Sequence, residues 1–487
     1  MYAWISIDKD DDLDQLISFI DRNAAYVVAL LKGNLASTVK SILVEYPYND
    51  KDYRSTYYEF YAKKGLRYEH FCYRLHFFGD GVTFKQDDFS FDWTGESLNG
   101  HYFGYMVVRP TSPTPVGRTV LSVKAKKGFN GSVIRAKHVV HLLGERLEVE
   151  GFPYMQQPTD ISVCAHVACW SILRHNSQQH RKYEEFLLSD VTLSASDMRV
   201  GGLMPARGLT IDQAARIFSA AGLFPDTYST DRFPDSAYRL LNAYVQSGFP
   251  VFAALDNMGP AANEGHAISV IGHGPVDRTA LTVSLGVSKP AVQYEWDAIN
   301  SFSVVDDNYM PYMMLDALND TPYKFTKISA FVVPLPEKIY FPAEEVERRI
   351  EYLLQGGAID TVTFDLSFMP NPVVRYFIAT SAALRRYLSA GKSSIPKEIY
   401  LPLMELSLPQ FVWIVQIADL QDWQQCRYTV LLVIDATASV YDQTPYLICH
   451  DRHKAFVYDR GDTEARLEFA LSFEPSFGEF EKNTGHQ

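Results

Sequence analysis

Two short stretches of the chain carry residue types suited to nucleophilic chemistry. The first reads Gln156-Gln157-Pro158-Thr159-Asp160-Ile161-Ser162-Val163-Cys164-Ala165-His166-Val167-Ala168-Cys169-Trp170. A thiol attacks a carbonyl as its thiolate, a form favoured by the unpaired N–H groups and dipole of a helix N-terminus. Cys164 stands where a polar loop gives way to an apolar helix, expected from Cys164 to about Arg174. The backbone N–H at such a place can hold one side of an oxyanion, and a Gln a few residues upstream can hold the other. The second stretch, Asn263-Glu264-Gly265-His266-Ala267-Ile268-Ser269-Val270, delivers a His from a polar turn to the first position of an apolar strand. A further run, Val304-Val305-Asp306-Asp307-Asn308, ends an apolar strand in carboxylates. One of them could fix the imidazole tautomer and stabilise its charged form.

The elements that must position these residues lie in 151–336. A loop with Pro153, Pro158 and Asp160 precedes the Cys164 helix. A second helix runs from a cap at Thr210 to Gly222, and a third from about Ser236 to Ser247. Strands are expected over 250–255, 266–273, 281–284, 301–306 and 328–334. Helices first and an antiparallel sheet after is an α+β order. On either side lie mixed regions, 1–150 and 337–487. In the first, 13–45 reads as helical from the spacing of Leu13, Leu16, Ile17 and Ile20. The aromatic-rich stretch 53–78 has no clear period. Strands are expected at 102–110 and 118–123, with a strand pair over 138–149 and a boundary near Gly151. In the last region, 343–354 reads as an amphipathic helix with Glu344, Glu345, Glu347, Arg348 and Arg349 on its charged face. Residues 371–390 read as helix, then strands over 411–417 and 427–435; no catalytic motif stands out there.

Composition narrows the function classes. The chain has 487 residues, 47% hydrophobic and 21% charged, which is globular and too long for one ordinary core. Thirty Tyr and thirty Phe point to large packed surfaces and much strand. A net charge of -13 argues against nucleic acid as a partner. No run approaches the roughly eighteen apolar residues of a membrane span, and Met1–Asp12 lacks the basic start and apolar core of a signal peptide. A cytoplasmic protein with no membrane partner is expected. Five Cys at scattered spacings imply no disulfide framework. Cys164, His166 and Cys169 lack a second Cys/His pair at zinc spacing, and Cys449-His450-Asp451-Arg452-His453 reads as a loop, so neither metal nor other cofactor is expected. Cys169 reads as core, His166 as a cleft-flanking, surface or capping residue, and Asp8–Asp14 as a solvated helix start. Gly100–Gly104 and Gly201-Gly202 lack the setting of a phosphate loop.

The order Gln, Cys at a helix start, Gly-His-Ala opening a strand, then Asp at a later strand end resembles the papain-like cysteine peptidase superfamily. It is most similar to the bacterial branch of double-glycine-type, bacteriocin-processing peptidases, over about 155–310. The resemblance implies a papain-like central domain, a helix bundle packed on an antiparallel sheet, and a thiol hydrolase cleaving a peptide or isopeptide bond in a protein or peptide. Cys164 would be the nucleophile, His266 the general base and Asp306 its orienting residue, with Gln157 and the Cys164 N–H forming the oxyanion hole. The pattern departs from the family in two places: six residues separate Gln157 from Cys164 where five are usual, and Ala165 replaces a common Gly. Cys169-Trp170 is a rival nucleophile by papain's own Cys-Trp order, and Asp307 a rival to Asp306. The same residues would serve a deamidating or transglutaminase-like effector, and a papain-like binding scaffold is the non-enzymatic reading. The flanking regions could gate the cleft, select a protein substrate or meet a regulatory partner.

Overall fold

The computed structural model describes residues 1–63, 68–158, 164–194, 209–257, 265–283, 292–316, 322–359, 362–458, 466–480 and 485–486. The protein is α+β, built on three larger sheets. Strands Tyr2–Ser6, Ser41–Tyr48, Cys72–Phe78, Tyr102–Val108 and Val116–Leu121 follow one another as an antiparallel sheet. The hairpin Ala136–Leu142 and Glu145–Gly151 comes next, its seven paired positions closing at Gly151.

The central sheet contains β1 (Phe224–Ser229), β2 (Val251–Asn257), β3 (His266–His273), β4 (Phe302–Val305), β5 (Met313–Leu315) and β6 (Thr326–Leu335). Their spatial order is β1-β6-β2-β3-β4-β5, and every neighbouring pair is antiparallel. Helices α1 (Cys164–Gln179), α2 (Ile211–Ala220), α3 (Ala237–Gln246) and α4 (Ala343–Leu354) cover its faces. The two-residue alternation of the strands sorts their side chains. Ala267, Ile271, Phe252, Val305 and Val332 share a core with α1 and α2. Their neighbours Ile268, Val270, Val251, Val304 and Val333 pack with α3 and α4. A third sheet runs from the short strand Gln293–Tyr294, parallel to Pro372–Thr380, through Phe411–Asp419, Val430–Asp435, Tyr446–His450 and Lys454–Tyr458 to Arg466–Ala470.

Helix α1 is covered on all sides: every residue from Ala165 to Asn176 is buried. Removing a Trp such as Trp170 from water hides about 200 Å² and contributes up to about 5 kcal/mol. Its polar atoms find fixed partners. Trp170 Nε1 and Arg174 both donate to Asp52 of the N-terminal region, at 3.0 and 2.8 Å. Ser269 Oγ donates to the Ala168 carbonyl and ties α1 to β3. A side chain at Gly272 would lie 1.8 Å from the Ser132 carbonyl, so only glycine lets the 132–134 segment cross β3.

Several expectations need correction. The stretch 13–45 is not one helix: a 3₁₀ turn spans Asp10–Ser18, a helix spans Ala24–Asn34, and Ser41–Tyr48 is a strand. Ile42, Leu43 and Val44 are fully buried inside a sheet, and a continuous apolar run has no period to tell helix from strand. The same ambiguity affects 371–390, where Pro372–Thr380 is a buried strand and only Ser381–Ala390 is helical. Residues 281–283 are not a strand. Cys449 and His450 belong to a buried strand rather than a loop. His450 Nδ1 bonds the Asp451 carbonyl and Nε2 accepts the Leu431 N–H, so both ring nitrogens are used within the core. Glu347 and Arg349 are buried, because α4 packs against the third sheet and not only against solvent. Glu347 accepts from Arg239 and Tyr376.

Candidate active site

Cys164 is the first residue of α1, half-buried, with its helix running back into the core. His266 is the first residue of β3, set there because Gly265 is the last residue before an apolar strand whose next seven positions are all buried. The β3–β4 register pairs Ser269 with Val305, so the chain leaving β4 reaches Asp306 beside the mouth of β3. A turn closed by the Tyr309 N–H on the Asp306 carbonyl follows. Three segments distant in sequence thus meet where β3 begins and β4 ends, at one end of the sheet's central strands.

His266 Nε2 lies 2.8 Å from Asp306 Oδ1. The other ring nitrogen is left free of Asp306, and the thiol of Cys164 lies near enough to favour the charged imidazole. Burial opposes a charge on His266, but the bonds to Asp306 and Cys164 outweigh it and push its pKa up to about 11. An imidazolium held between a carboxylate and a sulfur is the arrangement a thiolate nucleophile needs.

Asp306 is 1% exposed and its carboxylate faces three donors. Oδ1 takes His266 and the Asn308 N–H at 2.9 Å, and Oδ2 takes the Tyr323 hydroxyl at 2.8 Å. The Asn308 side-chain amide sits 3.3 Å from His266 Nε2. Asp307, the rival orienting residue, is farther off at 3.8 Å. Its carboxyl is buried, and burial together with the neighbouring Asp306 charge raises its pKa to about 7. Neither of its oxygens has a hydrogen-bond partner among the described residues. The Gln157 N–H faces the carboxyl and lowers its pKa somewhat, but without the geometry of a bond.

The other sequence candidates fall differently. Cys169 is fully buried one turn into α1, where burial raises its thiol far above the usual range. His166 is fully buried as well, and so is neither a surface nor a cleft-lining residue. Gln156 is locked away from the site, its side chain accepting the Val116 N–H and donating to the Tyr26 hydroxyl. Gln157 is half-buried, and its carbonyl accepts from Thr114 Oγ1. Residues 159–163, which join it to Cys164, lie outside the described residues, and no described contact links the Gln157 side chain to the thiol. Tyr323 and the backbone of Asn308 carry structure that sequence reasoning missed. Asn308 could have been suspected from its place after two carboxylates; nothing local marks Tyr323, three residues before β6.

No family model matches the chain, and no curated protein matches it.

Proposed function

We propose that the protein is a papain-like thiol hydrolase acting on an amide bond of a peptide or protein. The observation that carries this reading is the His266–Asp306 pair at 2.8 Å, with the histidine opening a strand and a thiol at the N-terminus of a buried helix close enough to favour the charged imidazole. A helix-first, antiparallel-sheet-after order supports the same resemblance. In this mechanism Cys164 Sγ forms a bond to the carbonyl carbon. The oxyanion faces N–H groups that the first turn of α1 leaves without intrahelical partners, with Gln157 the second donor if its side chain reaches. His266 gives its proton to the leaving nitrogen as the C–N bond breaks, producing a thioester. A water then attacks the thioester, His266 takes its proton, and the acid product leaves as the C–S bond breaks. Asp306 keeps the ring oriented and balances its charge throughout.

The test is iodoacetamide labelling of the native full chain from pH 5 to 9, located by mass spectrometry. Cys426, the exposed free cysteine, is the internal reference. The expected result is fast labelling of Cys164 well below the pKa of about 8.5 of a free thiol, abolished in His266→Ala. Labelling no faster than that of Cys426, or unchanged in the variant, overturns the hydrolase reading in favour of a binding scaffold. Once a peptide substrate is in hand, incorporation of an added primary amine into the product would assign the site to acyl transfer instead.

A further inference from the structure

We propose that His266, Asp306 and Asp307 form a binding site for a divalent transition cation, with Zn²⁺ the best fit. One ligand atom from each of the three lies within 4.8 Å of the others. Ligand atoms about 2.0–2.1 Å from a tetrahedral zinc are about 3.3 Å apart. The Nε2 distances to Asp306 and Asp307, 2.8 and 3.8 Å, fall on either side of that spacing, so small side-chain rotations bring both oxygens onto one ion.

The independent sign of a ligand is the Asp307 carboxyl. Its side chain is 2% exposed, one oxygen lies 3.8 Å from His266 Nε2, and among the described residues both oxygens lack hydrogen-bond partners. A buried carboxyl is normally satisfied, and a cation between it and His266 would satisfy it. Asp306 is already prepared as a ligand: Tyr323 and the Asn308 N–H fix its orientation from behind, as outer-shell donors do at metal centres. The His266 side chain is 25% exposed, which gives an ion a way in and leaves water the fourth position. One imidazole with two carboxylates suits zinc better than the all-oxygen cations calcium and magnesium. Binding forms a metal–Nε2 bond and releases that nitrogen's proton to solvent. The ion then occupies the place of the His266–Asp306 hydrogen bond and competes with the relay proposed above. No thiol takes part, so the site stands or falls separately from the hydrolase reading.

The experiment is Zn²⁺ titration into the full-length Cys164→Ser variant, followed by calorimetry. One saturable site is expected, and Asp307→Asn should weaken it at least about tenfold. Loss of binding in Cys164→Ser, unchanged affinity in Asp307→Asn, or no saturation by about 1 mM overturns the proposal. Because Asp307→Asn could disturb folding, Co²⁺ is also added to Cys164→Ser. An intense tetrahedral visible band supports the site, and the weak band of six-coordinate cobalt counts against it. Failure of Cys164 labelling alongside a saturable zinc site would sink the hydrolase reading alone.

Discussion

At the scale of single residues, Asp306 is the most constrained group in the site, and its donors make a clear prediction. Hydrogen bonds to a charged group contribute about 1.5–3 kcal/mol. Tyr323→Phe removes one such bond from Oδ2 and should slow Cys164 labelling about tenfold or more, relative to Cys426 in the same sample. An unchanged ratio would show that Asp306 is held well enough by Asn308 alone. A second substitution separates the rival nucleophiles. Cys169→Ala should leave the labelling pattern intact while costing about 1 kcal/mol in urea unfolding, as expected for a small buried deletion. Loss of all labelling in that variant would move the nucleophile to the Cys-Trp pair. Cys164, His266 and Asp306 were legible as residue types at element boundaries. Tyr323 was not, because its role depends on where β6 begins in space rather than on its sequence neighbours.

At the scale of elements, the fixed point is α1. A helix that carries a candidate nucleophile at its tip must not shift, and this one is anchored from the side by a residue far away in sequence. Asp52 accepts from both Trp170 and Arg174, and Arg174 has a side chain only 2% exposed. Removing one partner of a buried ion pair costs up to about 3–5 kcal/mol, less here because Arg174 keeps its pair with Glu185. Asp52→Ala should therefore lower the urea midpoint sharply, and Asp52→Asn, which keeps an acceptor, less so. Equal effects would mean that the loss comes from the charge and that a neutral acceptor contributes little. Some elements could be read directly from local signals. Thr210 caps its helix through a reciprocal bond with Gln213, and Gly222, just past the end, has a φ of +81°, in the left-handed region that favours glycine. The Ser41–Tyr48 and Pro372–Thr380 strands could not be read this way, since each contains a buried run of adjacent apolar residues, 42–44 and 376–379, that hides the period.

At the scale of the whole molecule, apolar cores run across the three stretches distinguished in the sequence. One core takes residues from Ala3 to Val332 and another from Ile134 to Tyr458. Arg375 of the third sheet is buried against Glu295 and Gln246 of the central unit. A chain ending at 336 should therefore lose the cover of α3 and aggregate or unfold without a cooperative transition, as judged by sedimentation and circular dichroism. A sharp two-state melt of that fragment would show the central unit to be self-sufficient. Acid sensitivity is a second global property. Burial holds His138 and His175 down to about 3, and His450 down to about 4, all below the ordinary value of about 6.5. Their folded pKa values are depressed, so the unfolded chain takes up protons first as the pH falls. Their contribution is complete above about pH 6.5 and is lost between there and about pH 3–4, at up to about 1.4 kcal/mol per pH unit for each. Urea midpoints should drop from pH 7.5 to pH 5, and His175→Phe, which keeps the stack on Phe152, should flatten that slope. An unaltered slope would place the acid sensitivity elsewhere.

The amino-acid sequence by itself determined the mixed α+β class, the start of α1 at Cys164, the opening of β3 at His266 and the carboxylates that end β4. Each of these is written in short-range pattern: a polar turn, a glycine, a change from loop to apolar run. Only the tertiary structure decided that Asp306 and not Asp307 bonds His266, that Tyr323 and Asn308 hold Asp306, and that Asp52 anchors α1. It also decided that Asp307 is buried near His266 with no hydrogen-bond partner among the described residues. Those relations depend on strand register and on contacts across more than a hundred residues, as between Asp52 and Arg174. No local period or propensity encodes such a distance.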